Sequence, residues 1–372
     1  MEIGIKNSSR IISIGTAVPE FAVQQDTILE FMQDAYQEPV TSRKLNMLFQ
    51  NSGIETRYSV LPDFLNNGHQ VLYPDNKEKL FIEERIDIYK QKSIPLALNA
   101  IRICFRNIGT SPKDLKITHL ITVTCTGIHS PGLDSILIEE LNLSPDIFHT
   151  SLNFLGCNAA FPALKIADAI VKSDNKAKVL IVCVELCTLH FQPKNNSDNL
   201  LSNTIFGDGA AALLLVSEDS AISDSYSGLR LNNFFSTTLS HGKDLMGWNL
   251  TTINFEMILN SGIPGFLGKE LEQLKEKILS KFKISLDEIQ HWAIHPGGKK
   301  ILDVVRQQLN LESYQIEPSY KVLKQYGNMS SPSVLFVLVE ILKNINYGDT
   351  VFSMGFGPGI SIEAALMTYE NA

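Results

Sequence analysis

The sequence predicts a layered α/β protein assembled from two similar halves. Three observations carry that expectation. Amphipathic helical stretches alternate with short β-rich runs along most of the chain, the pattern of parallel sheets with helices packed on them. The pattern then recurs: His119 opens HLITVT after a helix and the turn SPKDL, and His291 opens HWAIHP after a helix and the turn SLDEI, 172 residues later. A spacing of 171 residues likewise relates CNAAFPALKIADAI at Cys157 to NMSSPSVLFVLVEIL at Asn328, and KVLIVCVE at Lys178 to DTVFSMGF at Asp349. Finally, apolar residues make up 44% of the chain and charged residues 19%, so much of it must be hidden from water.

In chain order, residues 50–92 are charged and irregular and read as a surface excursion ending in a helix from about Phe81. A strand follows at His119, an apolar run at Ile147 to Leu155, a buried helix begun by Cys157 and a strand at Lys178. The polar, turn-rich stretch SEDSAISDSYS, from Ser217 to Ser227, separates AAALLLV from LRLNNFF and marks the division into residues 1–219 and 220–372. No long linker lies between, so the halves are expected to share one core. The second half repeats the series: a helix around Leu271, a strand at His291, a helix begun by Asn328 and a strand at Asp349.

Several function classes are excluded. The formal charge is −8 and no Lys/Arg run tracks a phosphate backbone, which argues against nucleic acid. MEIGIKNSSR lacks the apolar stretch of a signal peptide, and no window approaches a membrane span, so a soluble cytoplasmic protein is expected. Cys104, Cys125, Cys157, Cys183 and Cys187 are odd in number and sit in apolar sequence, against a disulfide framework. The spacing Cys183-x3-Cys187-x2-His190 resembles a metal half-site but continues a strand-like run and has no second ligand pair.

The repeat places unlike polar residues at equivalent points. Cys157 precedes a helix, where backbone N–H groups and the helix dipole favour thiolate, and Gly156 permits the sharp turn. Asn328 occupies the matching helix start. His295 ends a strand and precedes the turn Pro296-Gly297-Gly298. A thiolate, an imidazolium and a carboxamide suit thioester attack: sulfur takes the acyl group, and the other two stabilise an oxyanion or the enolate left by decarboxylation. Each residue alone reads equally as a packed thiol, a strand-end histidine or a helix cap.

The sequence resembles type III polyketide synthases, the chalcone synthase-like branch of the thiolase-fold condensing enzymes. The motifs are IGTAVPE, SGIETRY, TCTGIHSPGLD, LGCNAA, FGDGAAA, MGWNLT, WAIHPGGKKILD, YGNMSSPSVLF and GFGPG, in order over nearly the whole chain. The resemblance implies a thiolase-like α-β-α-β-α layering and a homodimer, with Ser130-Pro131 reaching the partner. It makes Cys157 the acyl-accepting nucleophile and gives His295 and Asn328 decarboxylation and oxyanion roles. Phe206 would separate the coenzyme A tunnel from the reaction cavity. Cys125, Thr126, His190, Phe255 and Met257 would line that cavity, with Gly357 and Pro358 in a loop that shapes it, while Glu185 would be structural. It implies acyl-CoA and malonyl-CoA substrates and no separate cofactor.

The chain departs from the plant pattern at the coenzyme A mouth. Of three basic positions before SGIETRY only Lys44 is retained, Met47 and Asn51 filling the others, while Lys299 and Lys300 appear after Gly297 and Gly298. These lysines are expected to replace the lost phosphate contacts, or else the donor arrives on an acyl carrier protein. His190 stands where plant enzymes carry Thr, against an aromatic coumaroyl starter. The alternatives are a single-round ketoacyl synthase or acyltransferase and, in another class, a non-catalytic thiolase-fold scaffold.

Overall fold

The computed structural model describes residues 8–36, 38–65, 71–72 and 80–372. The first half contributes β1 (Ser9–Ala17), β2 (Phe21–Gln24), α1 (Gln25–Tyr36), α2 (Pro39–Gln50), β3 (Thr56–Ser59), α3 (Ile82–Arg106), α4 (Pro112–Leu115), β4 (His119–Thr124), α5 (Leu133–Glu140), β5 (Phe148–Asn153), α6 (Ala160–Ser173), β6 (Lys178–Leu186), α7 (Ser197–Ile205) and β7 (Asp208–Ser217). The second contributes β8 (Gly228–Thr238), β9 (Met246–Leu250), β10 (Phe255–Leu259), α8 (Ile263–Phe282), β11 (His291–Ile294), α9 (Lys299–Gln308), α10 (Glu317–Tyr326), α11 (Ser333–Leu342), β12 (Thr350–Gly357) and β13 (Ser361–Glu370). The helix expected from Phe81 is α3; the excursion before it lies partly outside the described residues.

The duplication is visible in the strand pairing. Parallel pairs join β4 to β6 in one half and β11 to β12 in the other, and each set is then flanked by an antiparallel strand, β7 or β13. The whole ladder runs β11-β12-β13-β8-β1-β7-β6-β4-β5. Within this ladder the two halves are joined where Ser9–Ile11 of β1 pair with Leu229–Leu231 of β8.

Alternation along the strands builds the layers, because successive side chains point to opposite faces. On β6, Leu180, Val182 and Val184 pack with α3 residues such as Ala97 and Ala100, whereas Val179, Ile181 and Cys183 pack with α6 and α11. On β12, Phe352 and Met354 face α8 and α9, and Val351 faces the centre. The central cluster draws residues from both halves, including Ile181 and Ala365, so the core is shared and the five-layer order holds.

The apolar run at Ile147 to Leu155 contains β5, which lies at the sheet edge, and Phe148, Phe154 and Leu155 are exposed. One local reading is corrected: Cys157 and Asn328 do not begin their helices. Cys157 lies in the turn before α6, and Asn328 stands five residues ahead of α11, held instead in a parallel bridge with Phe206.

Candidate active site

Cys157, His295 and Asn328 border one cavity. Cys157 is set by Gly156, whose φ of +80° and contact with Pro358 leave no room for a Cβ. His295 continues the β11 ladder one residue past the strand, its N–H donating to Met354 O at 2.8 Å. Asn328 is fixed at both ends of its side chain. Its Oδ1 accepts the Ser330 N–H at 2.8 Å, which turns Nδ2 towards Cys157 Sγ at 3.9 Å and Gly297 O at 3.4 Å.

The electrostatics differ from the expected thiolate and imidazolium. Burial pushes the Cys157 thiol up to about 11, with the buried Glu185 charge adding to the rise and hydrogen bonds from Ser330 and Asn328 opposing it. Burial pushes His295 down to about 3, and neither ring nitrogen has a partner among the described residues. Desolvation thus outweighs the helix dipole, since the thiol is enclosed and α6 begins three residues later. Ionisation of either group on its own is therefore disfavoured in this enclosure.

Two spaces meet at Cys157, and His295 and Asn328 line the larger of them. An inner chamber of about 110 Å³ is lined by Cys125, Thr126, His190, Phe255 and Pro358, and an outer cavity of about 660 Å³ by Lys44 and by Gly297 through Lys300. Cys157, Phe206, Met246 and Met257 border both, which puts Phe206 at the boundary. Gly357 is the exception among the expected lining residues: it is packed on Asn158, behind Pro358. Met47 and Asn51 line the outer cavity beside Lys44. Lys299 Nζ pairs with Asp303 at 3.0 Å, and the other Asp303 oxygen accepts Tyr320 Oη at 2.5 Å.

The inner chamber has a rigid wall. His190 Nε2 lies 2.8 Å from Thr126 O, and Nδ1 accepts the Phe255 N–H at 3.2 Å, so the proton resides on Nε2. The ring stacks on Phe255 at 4.5 Å, and burial holds it down to about 4. Trp248 packs on the same Phe255 and on Phe154 at 4.9 Å each. Glu185 accepts hydrogen bonds from Cys125 N and Sγ, Thr126 Oγ1 and Ser331 Oγ. These saturate its carboxyl, as a structural group requires.

Sequence reading missed Trp248, Met246 and Ser330. MGWNLT and MSSPS contain them, but spacing alone does not tell which side chain of a hairpin or turn faces a chamber. Among the described residues no group of three or more His, Cys, Asp or Glu is placed to hold a metal ion, and no helix is long and apolar enough to cross a membrane.

Residues 3–219 match the chalcone and stilbene synthase N-terminal domain, and residues 231–369 the corresponding C-terminal domain. The chain is 30% identical to a 3,5-dihydroxyphenylacetyl-CoA synthase of Streptomyces toyocaensis, over 97% of this chain and 90% of that protein. Its structure is similar to that of PKS-I from the brown alga Ectocarpus siliculosus, with a TM-score of 0.91 and 26% identity over 99% of this chain and all of that one. It is also similar to 1,3,6,8-tetrahydroxynaphthalene synthase of Streptomyces coelicolor A3(2), a bacterial type III polyketide synthase, with a TM-score of 0.86 and 25% identity over 98% and 100% of the two chains. The chain belongs to the chalcone and stilbene synthase family, the type III polyketide synthases.

Proposed function

We propose that the protein condenses malonyl-CoA onto an acyl-CoA starter held on Cys157, repeatedly, and releases a cyclised product of the resorcinol or pyrone type. What supports this is the meeting of Cys157, His295 and Asn328 on one lysine-edged cavity, with Cys157 and Phe206 also bordering the chamber beyond. The Cys157 proton passes to His295 as sulfur attacks the starter thioester, and coenzyme A departs with a proton. Malonyl-CoA then loses carbon dioxide, and the enolate oxygen accepts from Asn328 Nδ2 and the His295 N–H. The enolate carbon attacks the acyl carbonyl, and Cys157 leaves as thiolate. The chain's own side chains supply each of these roles, so the reading needs no separate cofactor.

Lys44, Lys299 and Lys300, with the Gly297-Gly298 turn, would meet the phosphates of coenzyme A. An acyl carrier protein would present the same thioester arm at this mouth. A homodimer through the free β5 edge and the Ser130-Pro131 segment completes the reading, in the cytosol where malonyl-CoA is made. Within this assembly residues 1–219 carry the nucleophile and residues 220–372 the His/Asn pair.

A single-round condensing enzyme is the second reading, favoured by the small free volume of the inner chamber. Incubation with malonyl-CoA and a panel of short, long and aromatic acyl-CoAs, with products read by mass, separates the two. Several added two-carbon units with ring closure are expected. One unit without closure would leave the single-round enzyme, and no extension at all would reject both.

A further inference from the structure

Arg57, in the SGIETRY motif, has a place in the fold that the reaction scheme leaves unused. It is a buried cation on β3, and its nearest polar partners are main-chain carbonyls at the end of α7. Nη1 donates to Asn203 O at 2.8 Å and to Phe206 O at 2.6 Å. Nε donates to Gln25 Oε1 at 2.8 Å, and Gln25 Nε2 donates in turn to Thr204 O at 2.9 Å. Three carbonyls that end a helix, otherwise without intrahelical donors, are thus satisfied by two side chains from outside it. A cation is also the favourable charge at a helix C-terminus.

The stem of the same residue lies across the bridge between Phe206 and Asn328. A Cβ on Gly327, the residue before Asn328, would stand 2.9 Å from Arg57 Cγ and 3.0 Å from Cδ. One on Gly207, the residue after Phe206, would stand 3.5 Å from Arg57 Cβ. Gly327 also has a φ of +67°, so it is required twice over. Burial lowers the guanidinium to about 9, and the Asp208 charge opposes the fall. The cation is therefore kept at a desolvation cost, which is a reason to look for what it holds in place.

We propose that Arg57 is the positioning residue that sets the Phe206 phenyl relative to the Asn328 carboxamide, and so controls the malonyl step without touching substrate; this rests on the condensing reading above. Arg57 grips the Phe206 carbonyl, Phe206 is bridged to Asn328, and the arginine stem fills the space beside the bridge. Loss of the grip lets the carboxamide drift from the enolate oxygen, whereas Cys157, on a separate turn, loses at most the long 3.9 Å contact from Asn328 Nδ2.

The test compares carbon dioxide release from malonyl-CoA with alkylation of Cys157 by iodoacetamide, in full-length wild type, Arg57→Met, Arg57→Lys and Gln25→Leu. A misplaced donor should lower kcat for decarboxylation about tenfold or more in Arg57→Met, with KM and the alkylation rate within about twofold of wild type. Arg57→Lys should recover part of the loss. A folded Arg57→Met with unchanged kcat, or one whose decarboxylation and alkylation fall together, overturns the proposal. If Arg57→Met does not fold, Gln25→Leu decides: a loss of about threefold in decarboxylation alone supports the proposal, and no change overturns it. A wild type that releases no carbon dioxide overturns the condensing reading itself, and the Arg57 proposal falls with it.

Discussion

Asn328 and Phe206 are joined as residues of neighbouring strands: the Asn328 N–H donates to Ile205 O at 2.8 Å, and the Gly207 N–H donates to Asn328 O at 3.0 Å. The backbones that carry the boundary side chain and the carboxamide beside the nucleophile are therefore tied, while each side chain is set by its own neighbours. Thiolase-type duplication brings them together, since Asn328 is the repeat counterpart of Cys157 while Phe206 precedes the last strand of the first half.

Asn328→Ala should uncouple the two chemical steps. Removing one oxyanion donor costs about 10²–10³ in rate, and the Asn328 main chain that forms the bridge is retained. Decarboxylation of malonyl-CoA is expected to fall by that factor while acyl transfer to Cys157 from an acyl-CoA, followed by intact-protein mass, falls far less. Equal loss in both steps would assign Asn328 to folding instead.

The proposed passage of the Cys157 proton to His295 predicts how labelling depends on pH. With His295→Gln the thiol has no proton acceptor beside it and titrates near 11, so it is neutral at pH 7 and about one molecule in ten thousand is thiolate. Iodoacetamide labelling of this variant should rise about tenfold per pH unit from pH 7 to 9. Wild type should label faster at pH 7 and with a shallower slope. Coincident profiles would mean that no proton passes between the two side chains.

The same burial makes the enzyme sensitive to acid. His190 and His295 are held at about 4 and about 3 in the folded chain, below the unfolded value near 6.5. The stability each contributes is complete above pH 6.5 and is lost as pH falls towards the folded values, because only the unfolded chain takes up the proton. Between pH 6.5 and 5 each histidine should remove roughly 2 kcal/mol, less for the partly accessible His190. Denaturant unfolding at both pH values should show the loss in wild type and about half of it in His295→Gln; an undiminished loss there would place the acid sensitivity elsewhere.

At the outer mouth the two neighbouring lysines should not be equivalent. Lys299 is already paired with Asp303, whereas Lys300 has no ion-pair partner among the described residues. Lys300→Glu should therefore raise the malonyl-CoA KM more than Lys299→Glu, by a few fold, as expected for one reversed charge some ångströms from phosphates in water. The difference should shrink in about 0.5 M salt. An unchanged KM in the double variant would remove both residues from coenzyme A binding.

The layering, the duplication and the convergence of Cys157, His295 and Asn328 were legible because each leaves a mark in one dimension: an alternation, an offset, a turn glycine. The charge state of the trio was not. It is set by desolvation, and enclosure of Cys157 and His295 arises from chains hundreds of positions apart. Gly357 was placed in the chamber with Pro358, and only the contact with Asn158 shows that one of two adjacent residues faces away.

Trp248 leaves no mark at all in periodicity, and it carries the sharpest expectation about product size. It stands against Phe255, whose ring also stacks on the doubly hydrogen-bonded His190, so the wall is held at both residues. Trimming this wall has to convert side-chain volume into chamber volume. Trp248→Ala removes an indole from a partly accessible wall and should cost less than the about 3–5 kcal/mol typical of a fully buried aromatic. His190→Thr removes the clamp as well as volume. Either variant should extend products by one or more two-carbon units, or admit a bulkier starter, when products are compared by mass with wild type. The double variant should exceed either single one, because the Phe255 ring then loses both its His190 and its Trp248 neighbours. An unchanged product mass in all three would mean that the chain grows into the outer cavity, and that the aromatic wall holds the fold without limiting the chain.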